Sequence, residues 1–102
     1  MISTHVLDTM NGRPAAGMRV RLYRADDLVA DRVTDADGRV KPLVENSSGG
    51  IYTISFSVAE YFESKGVPFL GEVMVRFGAE EGRDYHVPLL VSPYGYSTYR
   101  GS

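Results

Sequence analysis

The sequence predicts an all-β fold, a sandwich of two antiparallel sheets with one short helix, and three observations carry that reading. Apolar residues recur with a period of two along most of the chain. Turn-forming residues separate these stretches, and only one stretch has helical spacing. The chain is 102 residues long, which is the size of one domain, here residues 1–102, with one core. A deep cleft between two lobes is excluded by that size. Any concave site must therefore lie on a sheet surface, at a loop end or between subunits.

The elements follow in order. Residues 3–8 make a first short strand, closed by the turn residues Asn11-Gly12-Arg13-Pro14. Met18, Val20 and Leu22 then alternate with Arg19, Arg21 and Tyr23, the pattern of a strand with one buried face. Residues 28–34 and 40–44 are further short strands, with Asp35-Ala36-Asp37-Gly38 between them. After the loop at 46–50, Tyr52, Ile54, Phe56 and Val58 alternate with Thr53, Ser55 and Ser57. Ser57-Val58-Ala59-Glu60 has the spacing of a helix capping box. Val58, Tyr61, Phe62 and Lys65 continue at helical spacing until Gly66 and Pro68, which predicts a helix of about two turns. Val73, Val75 and Phe77 form the next strand, followed by Glu80-Glu81-Gly82 as a turn. Tyr85, Val87, Leu89 and Val91 alternate with His86, Pro88, Leu90 and Ser92, and residues 96–100 form a last strand.

Composition removes several function classes. Eleven basic against 13 acidic residues leave a net charge of −2, so the chain lacks the basic footprint of a nucleic-acid binder. The absence of cysteine rules out disulfides, a thiol nucleophile and thiolate metal sites. No apolar run is long enough to span a membrane. The start Met1-Ile2-Ser3-Thr4-His5 lacks the basic and apolar parts of a secretory signal, which leads to the expectation of a cytoplasmic protein. There is no Gly-x-Ser-x-Gly, Gly-x-Gly-x-x-Gly or Gly-Lys-Ser/Thr, and so no support for a serine acyl-enzyme, nucleotide hydrolysis or a redox cofactor.

Chemistry must then come from few residues. The two histidines, His5 and His86, fall on the polar sides of their strands. Each reads as a half-exposed surface histidine, or as one of a pair brought together where the terminal strands meet. With only these two and no cysteine, a metal site is not expected. Arg39, after the Asp-Gly turn, is either a solvated turn residue or a planar cation for a carboxylate-like or enolate-like ligand. Arg19, Arg21 and Arg24 read as an exposed stripe balanced by nearby acids. The tail from Ser92 to Ser102 holds three tyrosines and an arginine. So aromatic a tail is expected to dock, either completing a sheet or lining a pocket or interface.

Three of these segments resemble the motifs of the 5-hydroxyisourate hydrolases, the enzymatic branch of the transthyretin-like family. They are Ser3-Thr4-His5-Val6-Leu7-Asp8-Thr9 with Gly12-Arg13-Pro14-Ala15, then Thr34-Asp35-Ala36-Asp37-Gly38-Arg39, and finally Tyr85-His86-Val87-Pro88-Leu89-Leu90-Val91-Ser92-Pro93 leading to Tyr99-Arg100-Gly101-Ser102. The resemblance covers essentially the whole chain. It implies a transthyretin-like sandwich of two four-stranded sheets, assembled as a homotetramer (a dimer of dimers) with active sites at the dimer–dimer interface. The implied reaction is cofactor-independent hydrolysis of the cyclic amide of 5-hydroxyisourate in urate catabolism. By the same resemblance His5, His86 and Arg39 are the catalytic residues, while His5, Arg39, Tyr99, Arg100 and Ser102 hold the substrate. The alternatives are a transthyretin-like small-molecule carrier and a plain interaction module, neither of which needs two histidines beside an arginine.

Overall fold

The computed structural model describes all 102 residues. Nine strands and one helical turn follow in order: β1 (Ile2–Asp8), β2 (Arg13–Pro14), β3 (Arg19–Arg24), β4 (Asp27–Val33), β5 (Arg39–Val44), β6 (Gly50–Phe56), α1 (Val58–Tyr61), β7 (Val73–Ala79), β8 (Tyr85–Ser92) and β9 (Gly95–Thr98). One sheet has the order β4-β3-β6-β7. The other runs β2-β1-β8-β9, with β5 joined to β1 beside β2. This is the expected sandwich, and the two-residue β2 is an addition where the sequence indicated only a turn.

The alternating residues meet between the sheets. Ile2, Val6, Val20, Leu22, Ile54, Phe56, Leu89 and Val91 are all fully buried. Removing each such side chain from water contributes about 1.5–3 kcal/mol, which is what holds the two layers face to face. The outward residues of β3 are ion-paired as the charge pattern suggested. Asp31 on β4 accepts from Arg19 at 3.0 Å and from Arg21 at 3.4 Å.

Two expectations need correction. The sheets are not antiparallel throughout, because β1 and β8 pair in parallel, with Ser3 opposite His86 and His5 opposite Pro88. Parallel neighbours need a long connection, and here nearly the whole domain supplies it. The side chain of buried Thr4 helps set this register by donating to the Val87 carbonyl at 2.6 Å. The helix is one turn instead of two, and the Ser57 side chain makes no cap bond. An early amide of the turn, Ala59 N–H, donates to the Gly71 carbonyl instead. Glu63, in the left-handed region at φ 52°, ends the turn before Lys65. What holds α1 is tertiary: the Tyr61 hydroxyl donates to the carboxylate of buried Asp8 at 2.8 Å.

The tail docks. β9 pairs with β8 through Leu89–Thr98 and its neighbours, and the Thr98 hydroxyl donates to the Pro88 carbonyl at 2.7 Å. The strand stops two residues earlier than expected. Tyr99 and Arg100 leave the sheet, and Gly101 returns to bridge His86, its N–H donating to the His86 carbonyl at 2.7 Å.

Candidate active site

The parallel register builds the site. On the outer face of the β1/β8 sheet, two rows of residues run across the strands. In one, Arg39 of β5 lies opposite His5 of β1, which lies opposite Pro88 of β8. In the next, Ser3 lies opposite His86, which bridges to Gly101. Both histidines are half-buried, so the two expectations for them merge: they are surface residues and also neighbours on one face.

His86 is the better supported of the two. Its Nδ1 lies 2.9 Å from the Oγ of buried Ser3. Gly101 packs so closely on the ring that an added Cβ would sit 2.7 Å from His86 Cδ2. Burial lowers the pKa of His86 below its ordinary 6.5, and the positive charge of His5, Arg39 and Lys41 lowers it further. A histidine so placed is neutral at neutral pH and has a lone pair for a proton.

His5 is held differently. Its Nε2 lies 2.8 Å from the carbonyl oxygen of Asp37. A carbonyl only accepts, so Nε2 carries a hydrogen, and in the neutral form of the ring the lone pair is on Nδ1. The same turn positions Arg39. Asp35 accepts from the backbone N–H groups of Asp37 and Arg39, each at 2.9 Å. Gly38 supplies the positive φ of 75° the turn requires, and a Cβ there would collide with the Val6 carbonyl. The turn reading of Arg39 therefore holds for its backbone. Its side chain has no partner among the ion pairs or hydrogen bonds and is directed to the site.

A recess of about 250 Å³ brings together Ser3, Arg39, Lys41, Tyr85, His86 and Ser102. His5 stands outside this recess on the same face. Tyr99 and Arg100 also lie elsewhere, lining a larger apolar cavity of about 760 Å³ between β7 and the end of the tail. Arg100 stacks its guanidinium 4.5 Å from the ring centre of Tyr85, a residue that lines both cavities. Sequence reasoning passed over Ser3 and Lys41. The signal was available in the alternation that places Ser3 on the same face as His5, and Lys41 on the same face as Arg39. An electropositive recess with a neutral imidazole, facing solvent on one side, is suited to activating water against an electron-poor carbonyl of an anionic or electron-rich ligand.

Comparisons with known proteins place the chain in a family and a fold. The model of the HIUase/Transthyretin family matches residues 2–101. The chain is 49% identical to the 5-hydroxyisourate hydrolase of Halalkalibacterium halodurans, with 99% of this chain and 97% of that protein covered. The solved structure of Klebsiella pneumoniae 5-hydroxyisourate hydrolase superposes with a TM-score of 0.90 at 33% identity, covering 99% of this chain and 98% of that one. Sea bream transthyretin in complex with thyroxine superposes with a TM-score of 0.88 at 30% identity, covering 98% and 93%.

Proposed function

The chain belongs to the HIUase/transthyretin family, and from that premise we propose how its site performs the hydrolysis that its whole-length relatives are named for. The activity is that of a 5-hydroxyisourate hydrolase. Water adds to the carbonyl of the cyclic amide, the ring C–N bond breaks, and the departing nitrogen takes a proton. The product is 2-oxo-4-hydroxy-4-carboxy-5-ureidoimidazoline, its new acid group ionised. No electrons change hands, so water is the sole co-reactant.

The observation that carries the mechanism is the meeting of His86, held by Ser3, and unpaired Arg39 in one recess. His86 takes the proton from the attacking water, a role worth about 100- to 10,000-fold for a well-placed base. Ser3, on Nδ1, fixes the plane of the ring so that Nε2 is presented to the water. Arg39 offsets the charge that gathers on the carbonyl oxygen. His86 then passes that proton to the departing nitrogen and returns to its neutral form, while His5, through its lone pair on Nδ1, accepts a hydrogen bond from the substrate ring and positions it. Ser102 touches the substrate directly, whereas Tyr99 and Arg100 support the recess wall through Tyr85.

The same proposal includes a homotetramer, a dimer of dimers with active sites at the dimer–dimer interface. Its support is the openness of the site: His5 and the recess share a face that a second copy would roof. The cytoplasmic location and the place in urate breakdown also belong to this reading. A carrier role fits less well, because an apolar ligand has no use for two histidines and two cations on the binding face.

The test is turnover of freshly made 5-hydroxyisourate, followed by the loss of its ultraviolet absorbance against spontaneous decay. Purified protein is expected to accelerate the decay and to elute as a tetramer by light scattering. Decay at the uncatalysed rate would overturn the assignment, and a monodisperse monomer would overturn the shared site.

A further inference from the structure

We propose that Lys41 is a second anion-binding residue of this site and sets its specificity for an anionic cyclic ureide; the identity of the ureide rests on the hydrolase reading above. Four observations converge on it.

Lys41 follows Arg39 by two on β5, so both side chains leave the sheet on the same face. The regular pairing of β1 with β5 breaks between Ile2 and Thr4, alongside Lys41. Continuing the register from His5–Arg39 and Thr4–Val40 brings Lys41 beside Ser3 at that break, and both line the recess that holds His86. Arg39 thus stands at the His5 row and Lys41 at the His86 row, one cation to each histidine.

Neither cation is neutralised. The ion pairs of the structure join Met1 to Asp84, Arg19 and Arg21 to Asp31, and Arg83 to Glu80. The side-chain carboxylate that borders the recess, Asp84, is taken by the Met1 amine at 3.0 Å. On the outer face of β3, by contrast, the arginines are matched by Asp31. Two unmatched cations beside two imidazoles concentrate positive potential where a ligand enters, and an anion is the ligand that such a field retains.

The chemistry of the substrate class matches. A ring N–H flanked by two carbonyls is acidic, so a cyclic ureide of this kind readily carries a negative charge. Arg39, a planar fork, suits a fixed position on the carbonyl oxygen. Lys41, a mobile point charge on a flexible stem, suits the ureide anion, whose charge is delocalised over the ring. The competing role for Lys41 is that of a solvated lysine on an edge strand, which discourages sheet extension.

The two roles separate by experiment. In the full-length protein, Lys41→Gln is expected to raise KM for 5-hydroxyisourate about tenfold with kcat within about threefold, the signature of lost uniform binding. Lys41→Arg is expected to restore KM. Binding of urate, a ring-intact anion, is measured in parallel by calorimetry, with caffeine, which has no ionisable ring N–H, as the neutral comparator. Lys41→Gln should weaken urate about tenfold and leave caffeine unchanged. Unchanged KM together with unchanged urate affinity would overturn the proposal and return Lys41 to the solvated edge. If wild-type protein binds urate but does not speed the decay of 5-hydroxyisourate, the hydrolase reading fails, and the urate arm alone decides Lys41. Where urate binds too weakly to measure, the KM arm decides.

Discussion

Ser3 Oγ lies 2.9 Å from Nδ1 of His86, across two strands that run parallel although the residues are 83 positions apart. A net hydrogen bond of this type is worth about 0.5–1.5 kcal/mol, so its loss translates into a rate effect of about 2- to 12-fold. Ser3→Ala is accordingly expected to lower kcat by several-fold with little change in KM, while Ser3→Thr keeps the hydroxyl and most of the rate. A kcat for Ser3→Ala equal to wild type would show that the imidazole is held without the serine.

The pH dependence follows from the depressed pKa of His86, caused by burial first and by the charges of His5, Arg39 and Lys41 after it. In the unfolded chain the group returns to about 6.5. As pH falls through 6.5, the unfolded state takes up a proton that the native state refuses, so this histidine subtracts from stability on acidification. The loss levels off once pH is below the native pKa. For catalysis the same shift keeps the base active to lower pH, and the acid limb of kcat/KM should bend below 6.5 in wild type. In Lys41→Gln one positive neighbour is gone, so the bend should move back toward 6.5. A limb at or above 6.5 in wild type contradicts the assignment of His86 as the base.

Replacement of the cationic fork and the imidazoles tests their separate tasks. His86→Ala and His5→Ala are each expected to cost about 100-fold or more in kcat while the oligomeric state stays that of wild type. Arg39→Lys retains the charge and loses the planar pair of donors, so a loss of about tenfold or more is expected. Unaltered kinetics for Arg39→Lys would leave Arg39 with its turn alone. Light scattering on each variant separates lost chemistry from lost assembly.

Gly101 is a positional constraint of a different kind. Its backbone conformation is open to other residues, but a Cβ would enter the van der Waals space of the His86 ring, 2.7 Å from Cδ2. The imidazole or the tail must move to admit it. Gly101→Ala is therefore expected to reduce kcat about tenfold, with overpacking costing about 1–3 kcal/mol at most. A melting curve and a rate assay together check this, since an unchanged rate would mean that the ring position is not critical.

Much of the molecule was legible in the sequence, because period-two alternation records directly which face of each strand meets the core. Val20 and Leu22 inside, Arg19 and Arg21 outside, follow from covalent geometry and the hydrophobic effect alone. The resemblance in the three motifs also placed His5, Arg39 and His86 together. Local signals were weaker where tertiary contacts compete with them. The capping box of Ser57 and Glu60 does not form, because the Gly71 carbonyl and the Tyr61–Asp8 bond already hold the turn.

What alternation cannot encode is which strands become neighbours and in which direction they run. Only the tertiary structure set β1 parallel to β8, and that register alone carries Ser3 to His86 and His5 to the adjoining row. It likewise separated the tail, sending Gly101 and Ser102 to the histidine and leaving Tyr99 and Arg100 in the larger cavity. The sequence by itself determined the faces, since each residue's side of its strand depends on its immediate neighbours. The site depends on contacts between residues more than eighty positions apart, and these are chosen by the packing of the whole sandwich.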